Sequence, residues 1–320
     1  MTPLDQFIQP ARASLGWWRP ILGLGLILGL WFVGTILVVM AWAAIQIGTG
    51  QDIETALASM MSLEDGEGSS IVTLVMLATF LGIWGGCWMA TEIVHNQRFM
   101  TLFAPSGRVL SGAFLQGLGF AVGFSVLSTL AAIALVETPV QAQAPADWAV
   151  FLVPLVVLIF FQAVGEELIF RGYLLQQLAV RFRSIIVWGI LPSLGFGILH
   201  YANAPLTETS LGVSFEVFDL TIGYAQLYYV GVTFITGLIF VALVVRTGNL
   251  WAAAGLHVGV NVFGLCGVGA QGLLSGTQLW LYSGESIGYL LEVDLIAASL
   301  ALAFVLSPAG RVFAPSTKPR

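Results

Sequence analysis

The composition of this 320-residue chain excludes a soluble globular protein, because 58% of the residues are hydrophobic, only 9% are charged and the mean hydropathy is +0.93. The apolar residues lie in blocks of about 20, the length that an α-helix needs to cross a hydrocarbon core of about 30 Å. Membrane β-strands would instead alternate over about ten residues. The sequence therefore predicts an all-α, polytopic membrane helix bundle in contact with the lipid bilayer. We expect no nucleic-acid partner.

Eight membrane helices are predicted between the clusters of charged residues. In chain order they span about 20–47, 70–94, 109–136, 148–180, 184–204, 224–245, 249–266 and 288–307. The first is kept as a membrane span, because it is longer than the apolar part of a signal peptide and lacks a small-residue cleavage site.

The basic residues predict that both termini are cytoplasmic, since Lys and Arg are retained on that side of a membrane. Along an eight-helix path, every basic residue outside the helices falls on one side. These residues are Arg12, Arg19, Arg98, Arg108, Arg181, Arg183, Arg246, Arg311, Lys318 and Arg320. The opposite loops are acidic, and one of them, about 205–223 with Phe215 and Phe218, is a candidate interfacial segment or lid. A bacterial inner membrane is the expected location.

Ionisable residues inside the predicted helices need a partner or a function, because a charge at the bilayer centre costs about 2.5–3.5 kcal/mol on insertion scales. The fourth helix contains Glu166, Glu167 and Arg171. Glu167 and Arg171 are four residues apart with the acid first, which favours an ion pair on one helix. Glu166 lies about 100° round the helix, without a cation on its own helix. We expect Glu167 to be structural and Glu166 to be available as a base, although both acids are also compatible with a role in helix packing alone.

Two of the three histidines also lie in predicted helices. His200 follows Phe196 by four residues, and the same spacing places His257 and Asn261 on one face of the seventh helix. An imidazole N–H and a carboxamide directed at one point can stabilise a developing oxyanion. Each of these residues alone is equally compatible with a hydrogen-bonded core position. The third histidine, His95, is expected at the membrane interface.

Residue counts place the polar groups at different depths. Counting about 1.5 Å per residue from the cytoplasmic helix ends puts His257 about 12 Å deep, but Glu166 and His200 about 22–24 Å deep. A single site requires helix tilt, a fourth helix that protrudes into the cytoplasm, or a later start of the fifth helix.

Small residues indicate where helices approach each other. Gly119 and Gly123, and likewise Gly255 and Gly259, have the small-xxx-small spacing that permits close helix packing. The two cysteines have no CxxC spacing. We expect them to be core thiols and not part of a metal site or a disulfide framework.

In their order along the chain, these residues resemble the CPBP intramembrane proteases, which include the type II CAAX prenyl endopeptidases and the bacterial Abi proteins. The matching elements are Glu166-Glu167-Leu-Ile-Phe-Arg171, Phe196-Gly-Ile-Leu-His200, Asn249-Leu250-Trp251-Ala252 and His257-Val-Gly-Val-Asn261. One such motif is weak, but several in order on successive membrane segments are specific. On this resemblance, residues 1–140 are N-terminal membrane helices without specific likeness, residues 141–310 are the catalytic core and residues 311–320 are a cytoplasmic tail.

The resemblance implies an intramembrane endopeptidase acting on a peptide or a membrane protein. It implies that Glu166 and His200 activate the attacking water and that His257 and Asn261 hold the oxyanion. Supporting roles fall to the other motif residues, Glu167, Arg171 and Phe196. Because such families are often classed as metalloproteases, and a glutamate with two histidines can bind Zn²⁺, the alternative is that Glu166, His200 and His257 are metal ligands.

Two other functions are compatible with buried Glu and His residues. A proton-coupled transporter uses such residues as relays, but this sequence has no internal repeat of the kind found in many transporters. A non-enzymatic membrane adaptor of the Abi type has no need of both Glu166 and His200. The sequence leaves open the identity of the substrate and whether it is prenylated.

Overall fold

The computed structural model describes residues 1–55, 70–201, 214–217, 220–270 and 276–314. The chain is 79% helical with almost no strand, which confirms the predicted all-α class. In chain order, the helices are α1 (Pro3–Phe7), α2 (Trp18–Gly48), α3 (Ser70–Val94), α4 (Ser111–Leu135), α5 (Pro145–Ala179), α6 (Ile186–Leu199), α7 (Tyr224–Thr247), α8 (Trp251–Gly267) and α9 (Ile287–Leu306). Helices α3, α5, α6 and α8 each include a π-helical turn, a feature frequent at functional sites.

A helix is present at each of the eight predicted positions, but eight membrane spans are not confirmed. Within the described residues, α2, α3, α4, α5, α7 and α9 are long and apolar enough to cross a membrane, whereas α6 and α8 are shorter.

The prediction of a helix over 184–204 was too long. The backbone N–H of His200 turns to the carbonyl oxygen of Gly197 at 3.0 Å. The His200 ring nitrogen Nδ1 lies 2.7 Å from the carbonyl oxygen of Phe196. The side chain thus takes the acceptor that the next helical turn would use, and α6 ends at Leu199.

Helices α4 and α8 pack with their backbones in close approach. A Cβ atom at Gly117 would overlap the carbonyl oxygen of Ala252, and one at Gly255 would overlap the carbonyl of Phe114. Gly259 is similarly close to the side chains of α4. The predicted packing role of Gly255 and Gly259 is therefore confirmed.

The same prediction was wrong for Gly119 and Gly123, because neither has a neighbouring atom within 4 Å of its Cβ position among the described residues. Two residues turn an α-helix by about 200°. Gly119 therefore points away from the α8-facing side of α4, on which Gly117 lies. The small-xxx-small spacing selected the wrong face.

The N-terminal segment covers the end of α3. His95, which was expected at the membrane interface, directly follows α3 and is only 2% exposed. Its Nδ1 lies 2.8 Å from Ser14 Oγ and its Nε2 lies 2.9 Å from Tyr173 Oη. Arg181 also donates to the carbonyl oxygen of Ser14. The segment before α2 is thus hydrogen bonded to α3 and α5 and removes His95 from solvent.

Short strands join the loops at one end of the bundle. A three-stranded sheet has the order β1 (Val140–Gln141), β5 (Trp280–Tyr282) and β4 (Val268–Ala270), with β1 antiparallel and β4 parallel to β5. The strands β2 (Ser214–Val217) and β3 (Leu220–Gly223) form an antiparallel hairpin. The rest of the predicted lid segment, including Phe218, lies outside the described residues.

The buried apolar side chains form one main cluster that includes residues from both 1–140 and 141–310. Cys87 and Cys266 are buried free thiols, as predicted. Phe313 is buried and packs edge-on to Phe120 at a centroid distance of 5.4 Å. The first residues of the predicted tail are therefore packed on the bundle, and residues 315–320 lie outside the described part.

Candidate active site

Helices α5, α6 and α8 bring the motif residues together in the interior. Glu167 and Arg171 on α5 form the predicted ion pair, with 2.8 Å between Glu167 Oε1 and Arg171 Nη1. The two side chains are 0% and 1% exposed. The guanidinium carbon also lies over the rings of Phe170, Phe196 and Phe240 at 5.5, 4.5 and 4.9 Å. The electron-rich ring faces attract the cation, so Arg171 is held by one carboxylate and three aromatic rings.

His257 on α8 connects the two glutamates. Its Nδ1 lies 2.9 Å from Glu167 Oε1, and its Nε2 lies 3.6 Å from Glu166 Oε2. The ring stacks on Phe240 at a centroid distance of 4.8 Å. Glu166 therefore finds its partner on another helix. The four polar groups follow one another in the order Arg171, Glu167, His257 and Glu166.

His257 Nε2 faces Glu166 Oε2 without a direct hydrogen bond. The 3.6 Å between them exceeds hydrogen-bond distance, and Glu166 Oε2 has no hydrogen-bond partner among the described residues. Since Nδ1 of His257 is engaged by Glu167, Nε2 is the ring nitrogen that remains available to a ligand.

His200 lies at the end of α6 beside Phe196. Since the carbonyl oxygen of Phe196 can only accept a hydrogen bond, the His200 Nδ1 at 2.7 Å is the protonated ring nitrogen. In the neutral ring, Nε2 then has a free lone pair. The Phe196 ring lies 4.5 Å from the His200 ring and 5.8 Å from the His257 ring. Phe196 thus separates the two imidazoles and supports both.

Asn261 is oriented by a residue to which sequence reasoning gave no role. Its Nδ2 donates to Oε1 of Gln162 at 2.9 Å. Gln162 is buried on α5, one turn before Glu166. This contact fixes one of the two amide hydrogens of Asn261 and leaves the other for a ligand. The sequence signal for Gln162 is its spacing: it is a polar residue four positions before Glu166 and so lies on the same face of the helix.

Two adjoining cavities, of about 300 and 440 Å³, open at this site. His200, Asn261 and Tyr229 line both, His257 lines the first and Glu166 lines the second. Each of the four residues with an expected catalytic role therefore faces at least one of two cavities that share part of their lining.

The Asn249-Leu250-Trp251 motif fixes the start of α8. Asn249 Oδ1 accepts a hydrogen bond from the Trp251 backbone N–H at 3.0 Å, and the Leu250 N–H donates to the carbonyl oxygen of Phe103 at 2.7 Å. The Trp251 ring stacks on Phe103 at 4.7 Å, and its Nε1 donates to the carbonyl oxygen of Arg108. These contacts set the helix position that carries His257 to the site.

The mismatch in predicted depth disappears in the structure. Helix α5 has 35 residues, equivalent to about 52 Å, which exceeds a hydrocarbon core of about 30 Å. The cytoplasmic end of α5 therefore need not lie at the membrane surface, and a depth counted from that end is too large. Glu166 and His257 lie side by side although residue counts separate them by about 10 Å.

The residues do not fit a three-ligand zinc site in this arrangement. Among the residues that the structure describes, no three His, Cys, Asp or Glu side chains are grouped closely enough to hold a metal ion. Nδ1 of His257 lies beside Glu167 and Nδ1 of His200 lies beside a carbonyl oxygen, so Nε2 is the ring nitrogen that each histidine could offer to a metal. Because Glu166 and these two Nε2 atoms are not grouped closely enough, they do not form the three-ligand set that protein zinc sites use.

Comparison with known proteins agrees with the motif pattern. Residues 148–263 match the family described as type II CAAX prenyl endopeptidase Rce1-like, and this range contains all four motifs. The chain is also similar to a curated Bacillus subtilis (strain 168) protein, described as uncharacterized protein YyaK. The two are 24% identical over 275 residues, which cover 82% of this chain and 81% of YyaK. No solved structure matches the chain.

Proposed function

We propose that this protein is an intramembrane endopeptidase that cleaves a membrane-associated peptide or protein, because residues 148–263 match the type II CAAX prenyl endopeptidase family and contain all four motifs. The observation that carries the proposal is the linked series of Arg171, Glu167, His257 and Glu166, whose last two members line two adjoining cavities. This arrangement combines a base, a proton donor and space for a substrate.

Water activation is assigned to Glu166 and His200. Water is a poor nucleophile at neutral pH, and a positioned base contributes about 10²–10⁴ in rate. The ionised Glu166 carboxylate and the free Nε2 of His200 are both acceptors on the cavity, so either can take the proton of a water molecule between them. The water oxygen then bonds to the carbonyl carbon of the substrate.

Oxyanion stabilisation is assigned to His257 and Asn261. With a proton on Nε2, His257 is a charged donor beside the Glu166 carboxylate that acts as the base. The free amide hydrogen of Asn261 supplies a second donor. As the tetrahedral intermediate collapses, the C–N bond breaks and the leaving nitrogen receives the proton taken from water.

We further propose that the bundle lies in a bacterial inner membrane with both termini in the cytoplasm. The one-sided distribution of the basic residues supports this orientation. A reporter active only in the cytoplasm, fused after Arg320, should be active. A stably inserted but inactive fusion would place the C-terminus outside the cytoplasm and contradict the proposed orientation.

Cleavage of a peptide library by purified protein tests the proposed function. Glu166→Gln and His200→Ala should be almost inactive, and Asn261→Ala should be about 10²–10³ slower, as for the loss of one oxyanion donor. Glu292→Gln is the matched control, because this carboxylate on α9 is not among the residues lining the two cavities. Wild-type cleavage rates in Glu166→Gln would overturn the mechanism. Solute flux into liposomes without any peptide cleavage would instead indicate a transporter.

Chelation tests the alternative in which Glu166, His200 and His257 bind a metal. Because the described side chains do not form a three-ligand site, we expect cleavage to continue in EDTA and in phenanthroline. Complete loss of activity that Zn²⁺ restores would reassign these three residues as ligands.

A further inference from the structure

A third carboxylate inside the bundle has no part in the mechanism above. Asp294 lies in the apolar helix α9, and Ser128 of α4 donates to its Oδ1 at 2.6 Å. Its second oxygen, Oδ2, has no hydrogen-bond partner in the part of the chain that the structure describes. A charge within a membrane helix that lacks an ionic partner is a sign of function.

Asp294 shares its surroundings with the proposed catalytic groups. It lines both cavities, as do His200 and Asn261, and Glu166 lines one of them. Tyr229 lies in both linings, so the space around Asp294 is partly aromatic. Among the described residues, no Lys or Arg lines either cavity. The protein therefore presents a carboxylate to the cavity without supplying a cation for it.

We propose that Asp294 is a specificity residue that binds a cationic nitrogen group of the substrate, either a Lys or Arg side chain or a free N-terminal amine. The inference rests on the proposed peptidase function. Ser128 holds Oδ1 and so leaves Oδ2 for the ligand, and aromatic walls also attract cations. A hydrogen bond between two charged groups in such a site is stronger than one between neutral groups.

The opposing interpretation is that Asp294 and Ser128 merely connect α9 to α4. The two interpretations differ in substrate preference. A structural connection affects all substrates equally, whereas a specificity residue discriminates between substrates that differ only in charge. Arginine and citrulline provide such a pair, because their side chains have nearly the same shape and only arginine is charged.

The test is a peptide panel with blocked termini, in which Arg or citrulline stands at each position around the cleaved bond. Wild type should cleave the best Arg peptide about 10–100-fold faster than its citrulline counterpart, the range expected for one hydrogen bond to a charged group. A citrulline peptide with a free N-terminus, compared with its acetylated form, tests the amine as the source of the charge. Equal wild-type rates in both comparisons would overturn the inference, whatever any variant does.

Variants then assign the preference to the residue. Asp294→Asn should lose most of the preference for the Arg peptide over the citrulline peptide. Ser128→Ala retains the carboxylate and should keep the preference. Glu292→Gln is the matched control, because it removes a charge from the same helix outside the cavity lining. An unchanged Arg-to-citrulline ratio in folded Asp294→Asn contradicts the proposal.

A binding measurement separates this inference from the proposed reaction. The peptides are bound to the Glu166→Gln variant, so that they are not cleaved during the measurement. The Arg peptide should raise the melting temperature of this variant more than the citrulline peptide does, and adding Asp294→Asn should abolish the difference. If Glu166→Gln still cleaves at the wild-type rate, the proposed mechanism fails; if the two peptides stabilise it equally, the role of Asp294 fails.

Discussion

The buried ion pair of α5 predicts a large and non-additive effect on stability. Arg171→Gln removes a guanidinium that is 1% exposed, lies 2.8 Å from Glu167 and faces the rings of Phe196 and Phe240. The change leaves the Glu167 carboxylate buried without its cation, in contact with the His257 ring. Because an uncompensated charge in an apolar interior is costly, the variant should lose folded protein as well as activity.

The expected loss follows from the burial of both partners. Removing one member of a buried pair costs about 3–5 kcal/mol, and the lost contact with the aromatic rings adds about 0.5–2 kcal/mol. Glu167→Gln should cost a similar amount, because it removes a partner of both Arg171 and His257. In the double variant neither charge is left alone. Its loss should therefore be smaller than the sum of the single losses by about 1–3 kcal/mol.

Reversible denaturant unfolding in detergent micelles measures the four proteins of this cycle. Arg246→Gln at the end of α7 is the control, since this guanidinium donates to the Leu306 carbonyl oxygen and forms no ion pair with the described residues. It should change the unfolding free energy by about 0.5 kcal/mol or less. Losses for Glu167→Gln and Arg171→Gln that add to within about 0.5 kcal/mol would refute the coupling.

Three further predictions test the surroundings of the site. Gln162→Ala should lower kcat more than it raises KM, because the Asn261 amide loses the acceptor that orients it. Gln162→Glu keeps an acceptor oxygen and should recover part of the rate. Equal rates in the two variants would argue against orientation of Asn261 by Gln162. Gly117→Val should destabilise the bundle by about 1–3 kcal/mol through overpacking, whereas Gly119→Val, in open space, should be nearly neutral. Melting temperatures measure the two variants, and equal values would contradict the prediction. Burial lowers the pKa of His95 to about 4 in the folded protein, whereas a histidine in the unfolded chain has a pKa of about 6.5. Between these two pH values the unfolded state binds a proton that the folded state does not. The free energy of unfolding should therefore fall by about 1.4 kcal/mol per pH unit as the pH is lowered from about 6.5 to about 4. The unfolding free energy of His95→Gln should depend less on pH, and identical pH profiles would contradict the prediction.

Local sequence rules predicted the parts of the site that depend on one helix. The spacing of Glu167 and Arg171 determines their contact, because side chains four residues apart meet on any α-helix. Hydropathy likewise predicted the long helices, since about 20 apolar residues are needed to cross the membrane. Both inferences need no knowledge of how the helices pack.

Features that depend on several helices were beyond these rules. The contacts of His257 with both glutamates require the relative positions of α5 and α8. Helix α8 is itself packed against α4 at Gly117 and Gly255 and begins at the turn formed by Asn249. Phe240 gave no signal, because it lies among many apolar residues of α7. Asp294 is detectable in the sequence as a charged residue inside a predicted helix. Its hydrogen-bond partner Ser128 lies on another helix and could not be inferred from the spacing of residues on α9.

The same contacts explain why two adjacent glutamates have different roles in the proposed mechanism. Arg171 is a permanent cation and pairs with Glu167. Glu166 instead faces His257 Nε2 at 3.6 Å, and in the proposed mechanism this nitrogen carries the proton that balances the Glu166 carboxylate. A proton can move between these atoms during a reaction, whereas a guanidinium cannot. Exchange of the two partners would leave the cavity beside an inert ion pair, so the order Arg171, Glu167, His257 and Glu166 places the mobile proton next to the substrate.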